Sequence, residues 1–402
     1  MLTRQQYWDQ GGFEETFSYD ALNRLETSTV QGRTVQTFRY DAVGNLLNKT
    51  GVGTGNYTYP AQGATAVRPH AVQSIPGIGN FVYDDNGNLT SGNGRTMSWT
   101  SFDMPLTISG GASATFVYGP EHQRIRQSRG DGSSVVYAGA QEVEKNASGT
   151  TVKTYWPGGI GVEIDRPGAT VSELYWHHVD RLGSVIGLTD QQGVLKEKLG
   201  YDAWGKRRTI DGVSTPNNLD GQVDNRGFTG HEMLDQLDLV HMNGRVYDPL
   251  VARFVSGDSL IQDPVGGQNY NRYSYVLNNP TNLDDPSGFE SQCVDNCHVE
   301  KREAAGDYSK TGKPMSGFTS TAEDGKNGNT DAVFVKGKYG EANRPNGGVD
   351  AKRNTASMGQ QVFQRTVPYL GLQAPQEVMR DQVLICRKDR SQSTGEERAK
   401  RR

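Results

Sequence analysis

Two histidines stand close to an acidic side chain in a combination that could bind a metal or transfer protons. His177 and His178 precede Asp180 by three and two residues. Imidazole and carboxylate groups serve both as zinc ligands and as acid–base pairs. A metal site needs further ligands, and the sequence offers no third ligand at a recognisable spacing. We therefore expect these histidines to pack in a sheet, with metal binding and proton transfer as the alternatives.

The cysteines all lie late in the chain. Cys293, Cys297 and His298 form a close trio, and Cys386 is the remaining thiol. Zinc sites usually join two ligand pairs. Because no second pair follows here, we expect no metal or other cofactor, with zinc binding by the trio as the alternative. Three cysteines are also an odd number, which argues against a disulfide framework and favours synthesis in a reducing compartment.

A short motif recurs along the first half of the chain. It reads aromatic-x-Tyr-Asp, followed after two residues by Gly-Asn-Leu or Asn-Arg-Leu. Full copies start at Phe17, Phe38 and Phe81, and weaker copies start at Phe116 and Leu199. The spacing between copies varies, so the repeat is one of motif rather than of strict period.

Each copy of the motif predicts a β-hairpin. The aromatic residue and the Tyr share one face of a strand because side chains alternate with period two. The Asp begins a turn, since its carboxylate can accept a hydrogen bond from a backbone amide two residues on. Gly or Asn then supplies a positive φ, and Leu begins the return strand. Hairpins stacked side by side would bury their Tyr and Leu stripes and form a long coiled sheet.

The composition fits such a sheet and changes near residue 290. The chain has 402 residues, 50 of them Gly, and its 18 Tyr outnumber its 12 Phe. A hydrophobic fraction of 34% suits a sheet with wetted faces better than one large core. Residues 290–402 carry 19 Lys and Arg against 15 Asp and Glu, whereas residues 1–289 carry 23 against 31. Two modules of different charge therefore meet near residue 290.

The repeated motif resembles the Rhs/YD-repeat family, bacterial and insect-toxin-complex proteins whose repeats spiral into a hollow shell around their own C-terminal segment. Six further blocks resemble the family's core-associated region in order, and they begin at Tyr175, Tyr201, Phe228, Gly244, Asn271 and Asp285. The resemblance implies a mainly β fold. Its parts would be a coiled YD-repeat sheet, or partial hollow shell, at 1–174, the Rhs repeat-associated core at 175–289, and a small α+β effector domain with a disordered basic end at 290–402.

The resemblance also implies self-cleavage. Family members cut themselves with an Arg and two Asp residues, which correspond here to Arg245, Asp258 and Asp285. Cleavage would fall between Phe289 and Glu290. One carboxylate would take a proton from water and another group would give one to the leaving amine, while the arginine held one carboxylate ionised. The alternative is that these aspartates only cap turns.

In this family the position of residues 290–402 carries a variable toxin. The positive balance of these residues makes a nucleic acid the first target to test and favours a nuclease. Residues 317–321 resemble the Phe-x-Ser-Thr strand of ADP-ribosyltransferases, which is the alternative activity. His298 and Glu300 resemble the His-x-Glu of zinc deaminases, but no Pro-Cys-x-x-Cys sequence follows them.

The resemblance implies a toxin protein that acts between bacteria or on a host, with a cognate immunity protein and delivery machinery as partners. No apolar run approaches the roughly 18 residues of a membrane span, and residues 1–8 lack the apolar core of a signal peptide. We therefore expect synthesis in the cytoplasm, export by another route, and an effector that acts in the cytoplasm of the target cell. The alternatives are a structural or surface-interaction protein with a non-catalytic tail, and a truncated cassette.

Overall fold

A computed structural model of the protein describes residues 1–8, 11–63, 65–213, 215–216 and 218–293. Within these ranges the regular structure consists of β-strands and five short 3-10 helices. The helices span Pro157–Gly159, Phe228–Gly230, Asp235–Leu237, Gly267–Tyr270 and Val276–Asn278. The predicted mainly β fold is thus confirmed. The expected α+β domain and the patterns at 298–300 and 317–321 lie outside the described residues.

The first strands form a five-stranded antiparallel sheet in which each strand pairs with the next along the chain. They are β1 (Thr3–Trp8), β2 (Gly11–Tyr19), β3 (Leu25–Val30), β4 (Gln36–Tyr40) and β5 (Leu46–Lys49). A two-stranded ribbon follows, made of β6 (Ser74–Ile75) and β7 (Gly79–Asn80). Such next-neighbour pairing needs only local hairpins, which the repeated motif predicts.

A second antiparallel sheet of thirteen strands continues the same next-neighbour order in the described part of the chain. Its strands are β8 (Val82–Tyr83), β9 (Leu89–Gly92), β10 (Arg95–Trp99), β11 (Pro105–Ser109), β12 (Ser113–Tyr118), β13 (Arg124–Arg129), β14 (Ser134–Ala138), β15 (Gln141–Asn146), β16 (Gly149–Tyr155), β17 (Gly161–Asp165), β18 (Glu173–Val179), β19 (Val185–Asp190) and β20 (Leu195–Lys198). The sheet runs without a break past residue 174, so a boundary at that position rests on sequence resemblance alone.

The Asp of the repeated motif closes its hairpin as predicted. Asp41 Oδ1 accepts hydrogen bonds from the backbone N–H groups of Val43 and Asn45 at 3.0 and 2.8 Å. Gly44 has a φ of 85°, and Leu46 begins the return strand. Closely similar turns occur at Asp20, Asp84, Asp180, Asp190 and Asp202.

Shorter strands after residue 230 carry the junction. A four-stranded antiparallel sheet contains β21 (Glu232–Leu234), β22 (Leu239–Met242), β23 (Arg245–Asp248) and β24 (Arg253–Phe254). β25 (Leu283–Asp284) pairs with β26 (Gln292–Cys293). The buried rings of Tyr247 in β23 and Phe254 in β24 pack against that of Tyr275, whose centroid lies 4.7 Å from that of Tyr247 and 5.9 Å from that of Phe254. This packing fixes the strands that hold the candidate site.

Buried ion pairs join the N-terminal strands to the segment after β20. Lys49 Nζ lies 3.0 Å from Asp202 Oδ2, and both side chains are buried. Glu15 is buried against Arg208 Nη2 at 2.6 Å and against Arg4. Burial alone would raise the pKa of Glu15, but the two guanidinium groups lower it to about 2. The pairs of Lys49 with Asp202 and of Glu15 with Arg208 link residues that are more than 150 positions apart in sequence.

The described part of the chain contains no helix of the length and apolarity that a membrane crossing requires.

Candidate active site

Arg245 brings the two predicted aspartates together. Its Nη2 atom lies 2.9 Å from Asp258 Oδ2 and 3.3 Å from Asp285 Oδ2. Arg245 starts β23, Asp258 follows β24, and Asp285 follows β25. The side chains of Arg245 and Asp285 are almost wholly buried, and that of Asp258 is 13% exposed. A guanidinium fork can bind two carboxylates at once because its N–H groups point in fixed directions.

Asp285 also contacts the peptide bond at which cleavage is predicted. Its Oδ1 atom accepts a hydrogen bond of 2.9 Å from the backbone N–H of Glu290. The Ser287 hydroxyl accepts hydrogen bonds from the backbone N–H groups of Phe289 and Glu290 at 3.1 and 3.2 Å. The carboxylate of Asp285 therefore lies beside the nitrogen that hydrolysis after Phe289 would release.

Gly288 permits the tight turn between these residues. Its φ of 79° lies in the left-handed region that favours glycine. A Cβ atom at this position would also lie within 3.0 Å of the backbone of Met242, Gly244 and Arg245. The Nε atom of Arg245 donates a hydrogen bond to the carbonyl oxygen of Gly288. The arginine thus holds the turn and both carboxylates with one side chain.

Burial sets the electrostatics of the cluster. It lowers the pKa of Arg245, although Asp258 and Asp285 oppose this shift. It raises the pKa of Asp258 above the usual range, because Arg245 offsets only part of the desolvation. Burial also raises the pKa of Asp284, and the nearby charge of Asp285 adds to that shift. The carboxyl group of Asp258 therefore keeps its proton to a higher pH than a free aspartate does.

Aromatic rings flank the arginine. The guanidinium carbon of Arg245 lies 3.6 Å from the ring centroid of Phe254 and 5.7 Å from that of Phe289. Cations bind to the faces of aromatic rings. A small cleft of about 30 Å³ is lined in part by Arg245, Asp258 and Phe289. A cleft of this size has room for a water molecule.

The chain is held on the far side of the predicted bond as well. Gln262 Nε2 donates to the carbonyl oxygen of Ser291 at 2.8 Å, and Gln262 Oε1 accepts from the N–H of Ser291 at 3.1 Å. Gln292 and Cys293 then pair with Asp284 and Leu283 in β25 and β26. Hydrogen bonds on both sides therefore fix the backbone around residues 289 and 290.

The structure does not bring His177, His178 and Asp180 into one site. His177 Nε2 lies 3.5 Å from Asp224 Oδ2, and His178 Nε2 lies 3.0 Å from the hydroxyl oxygen of Thr189. Asp180 instead accepts the turn hydrogen bonds of Leu182 and Ser184. Among the described residues no group of three His, Cys, Asp or Glu side chains could hold a metal ion. The two histidines pack in β18, as the structural interpretation expects.

Sequence reasoning missed three residues of the junction. Gln262 and Ser287 contact the backbone on either side of the predicted bond, and Gly244 leaves space for the Phe289 ring. Ser287 lies inside the Asp-Pro-Ser-Gly segment, where a hydroxyl near a turn is a usable signal. Gln262 lies 27 residues before residue 289 and has no local pattern that marks it, whereas Gly244 begins one of the six blocks but nothing in that block indicates its contact with Phe289.

No protein-family model matches the chain. Among curated proteins, it is 26% identical over 224 residues to the tRNA nuclease WapA of Bacillus subtilis strain 168. It is 25% identical over 246 residues to the double-stranded DNA deaminase toxin A of Burkholderia cenocepacia strain H111. Each match covers 52% of this chain, but only 9% and 17% of the respective relatives. The chain therefore corresponds to a small part of these longer proteins.

The fold is similar to that of solved toxin complexes. The TcdB2-TccC3-Cdc42 crystal structure matches 70% of this chain and 16% of the compared chain, with a TM-score of 0.53 and 16% sequence identity. A Tc holotoxin pore of Photorhabdus luminescens that carries the TccC3 mutation D651A matches with a TM-score of 0.52, 16% identity and 70% coverage of this chain. The likenesses in sequence and in fold together support a relationship to toxin proteins of the Rhs type.

Proposed function

We propose that the chain belongs to an Rhs-type toxin and cuts itself between Phe289 and Glu290. The observation that carries this proposal is the position of Asp285, which is hydrogen-bonded to the nitrogen of Glu290 and lies within 3.3 Å of Arg245. Arg245 in turn contacts Asp258. Turn capping alone would explain Asp285 but would not require a second carboxylate on the same buried guanidinium.

The proposed reaction is hydrolysis with two carboxyl groups. Water adds to the carbonyl carbon of Phe289 and gives one proton to the ionised carboxylate of Asp285. Protonated Asp258 donates its proton to the carbonyl oxygen and takes it back when the intermediate collapses. The C–N bond then breaks as Asp285 passes the water proton to the nitrogen of Glu290. The products are a carboxylic acid at Phe289 and an amine at Glu290.

Each group has a reason for its role. Asp285 has the position that a base requires, since Arg245 holds its carboxylate and the nitrogen of the cleaved bond donates to it. The raised pKa of Asp258 favours the protonated form, which an acid requires. Two carboxyl groups that share one cation and differ in environment can divide these tasks. Because Asp258 and Asp285 meet only in the folded chain, cutting would follow folding.

The test is a comparison of purified chains on a denaturing gel. The wild-type chain divides into fragments 1–289 and 290–402, whereas Asp285→Asn and Asp258→Asn stay whole. Asp190→Asn is the matched control, since Asp190 caps an exposed turn between β19 and β20. An uncut wild-type chain, or equal cutting in all four proteins, would overturn the proposal.

We propose further that residues 290–402 act on a nucleic acid, with nuclease activity as the first candidate. The names of the matched Bacillus and Burkholderia relatives refer to a tRNA nuclease and a DNA deaminase. The excess of Lys and Arg in residues 290–402 suits an approach to phosphates. ADP-ribosyl transfer to a protein remains the second candidate, from the pattern at 317–321.

The proposed function implies partners, a division into domains and a place of action. An effector that damages nucleic acid requires an immunity protein in the producing cell and machinery that delivers it to a target cell. The proposed division is a β-shell part at 1–174, a core with the junction at 175–289, and an effector at 290–402. We propose synthesis in the cytoplasm and action in the cytoplasm of the target cell.

A further inference from the structure

Gly244 lies in the turn between β22 and β23, and its φ does not require glycine. The preceding residue, Asn243, has a φ of 57°, whereas Gly244 is not among the residues with a positive φ. The φ of Gly244 is therefore not the feature that selects glycine at this position. Gly288 differs in this respect, because its φ of 79° is left-handed. A reason for glycine at position 244 is the space beside its backbone.

The space beside Gly244 is filled by the ring of Phe289. The three heavy atoms that a Cβ at Gly244 would approach most closely are Cε2, Cδ2 and Cζ of that ring. The distances to Cδ2 and Cζ would be 2.6 Å, which is closer than real Cβ contacts. The missing side chain of Gly244 thus provides the surface on which the Phe289 ring lies.

The same ring contacts the proposed catalytic cluster. Its centroid lies 5.7 Å from the guanidinium carbon of Arg245, and the side chain lines the small cleft shared with Asp258. The backbone of Gly244 is tied to the cleavage turn too, since its N–H donates to the carbonyl oxygen of Ser287 at 2.9 Å. A displaced ring would move the carbonyl group of Phe289 relative to these groups.

We infer that Gly244 and Arg245 form a subsite for the side chain that precedes the cleaved bond, and that this subsite selects a flat aromatic ring at position 289. The inference rests on the proposed self-cleavage and adds its specificity-determining residue. The absence of a side chain at Gly244 leaves space for the Phe289 ring, and the guanidinium group of Arg245 faces that ring. Residue 289 is therefore a positioning residue for hydrolysis, since its ring sets where the carbonyl carbon lies.

The test is a double-mutant cycle on the full-length chain, with the first-order rate of self-cleavage as the readout. Gly244→Ala slows cleavage by about tenfold or more, because small displacements of reacting groups are costly. Phe289→Ala slows it less. Gly244→Ala combined with Phe289→Ala cuts at the rate of Phe289→Ala alone, because the new methyl group enters the vacated space. Gly288→Ala is the contrast, since its clash is with backbone and Phe289→Ala does not relieve it.

Two results would overturn the inference. One is self-cleavage of Gly244→Ala at the wild-type rate. The other is a double variant whose cleavage rate is reduced by the product of the two factors found for the single variants. A second measurement, the thermal midpoint of unfolding, distinguishes failure of this inference from failure of the proposed function. In the Asp285→Asn background, where the chain stays intact, Gly244→Ala lowers the thermal midpoint and Phe289→Ala cancels most of that loss. If the wild-type chain does not cut, the proposed function fails, and this thermal cycle alone decides whether the ring occupies the subsite.

Discussion

The Oδ1 atom of Asp285 lies 2.9 Å from the backbone nitrogen of Glu290, and Asp285 itself comes directly after β25 and three residues before the left-handed Gly288. A capping aspartate usually accepts hydrogen bonds from amides two to four residues on, as Asp41 and Asp190 do. Asp285 reaches one residue further, to the amide of the predicted cleavage site. Arg245 links it to Asp258 at the same time.

Loss of the arginine separates its structural role from its chemical role. Arg245→Met leaves two carboxylates close together without a cation, and the free energy of unfolding falls by about 3–5 kcal/mol. Arg245→Lys keeps the charge but not the fork, so the chain stays folded while cutting slows. Urea denaturation and the cleavage rate measure these two effects. The control Arg39→Met changes an exposed side chain of β4 and alters stability by less than about 0.5 kcal/mol.

The cleavage rate depends on pH through Asp258. Burial raises the pKa of this group, so its protonated form persists above the usual range for aspartate. Since the proposed reaction uses protonated Asp258 as the acid, the rate falls as pH rises through that raised pKa. Single-turnover rates measured from pH 4 to pH 9 test this. A rate that climbs steadily toward alkaline pH would contradict the assignment of Asp258 as the acid.

Stability also depends on pH, through Glu142 in β15. Burial raises its pKa to about 7, the nearby Glu232 adds to the shift, and Arg226 opposes it. The pKa of Glu142 is therefore higher in the folded chain than the value of 4.5 expected in the unfolded chain. The contribution of this group to folding stability is complete below pH 4.5 and is lost as pH rises through about 7. Wild-type unfolding free energy therefore drops by up to about 3 kcal/mol between pH 5 and pH 8 from this group.

Glu142→Gln removes that titration, so the difference between its urea midpoints at pH 5 and pH 8 is smaller than in the wild-type chain. An unchanged difference would mean that Glu142 is already ionised at neutral pH, as its contact of 2.6 Å with Arg226 would favour.

The repeated turn predicts unequal effects at two adjacent aspartates. Asp84 accepts a hydrogen bond of 2.8 Å from the N–H of Asn88, whereas Asp85 is exposed. Asp84→Ala leaves that amide without its acceptor and lowers the free energy of unfolding by about 1–2 kcal/mol. Asp85→Ala changes it by less than about 0.5 kcal/mol. Equal losses in urea denaturation would show that the Asp of the motif has no special role in the turn.

The proposed effector is tested in bacterial cells. Induced expression of residues 290–402 slows growth, and RNA or DNA from the culture is degraded if the activity is that of a nuclease. Residues 1–289, expressed at the same level, serve as the control and leave growth unchanged. Intact nucleic acid together with NAD-dependent labelling of a protein would favour ADP-ribosyl transfer. Normal growth despite soluble expression of residues 290–402 would support the alternative of a structural or surface-interaction protein with a non-catalytic tail.

The hairpins could be predicted from the sequence because their signals are local. An aromatic-x-Tyr strand, an Asp turn and a Gly or Asn with positive φ span fewer than ten residues, and the structure has all three at Phe38–Leu46. The resemblance to a known family predicted that Arg245, Asp258 and Asp285 act together. In the structure Arg245 Nη2 lies 2.9 Å from Asp258 Oδ2 and 3.3 Å from Asp285 Oδ2.

Contacts between distant residues could not be predicted in this way. His177 lies beside Asp224, and Lys153 Nζ lies 3.0 Å from the same carboxylate. These residues come from β18, β16 and a loop, and no periodic pattern relates their positions. The contact of Gly244 with Phe289 has the same origin, since it depends on how β22 and β23 lie against the turn at 285–289. Side-chain alternation predicts which face a residue occupies but not which distant residue it meets.

The identity of the new chain end is the sharpest test of self-cleavage after Phe289. The purified wild-type chain is incubated until any cutting is complete, and the fragments are analysed by intact-mass spectrometry and N-terminal sequencing. We expect two fragments, 1–289 and 290–402, with Glu290 as the new N-terminus, and one undivided mass for Asp285→Asn. An undivided wild-type chain with a cooperative unfolding transition, or a cut at another bond that persists in Asp285→Asn, would contradict it.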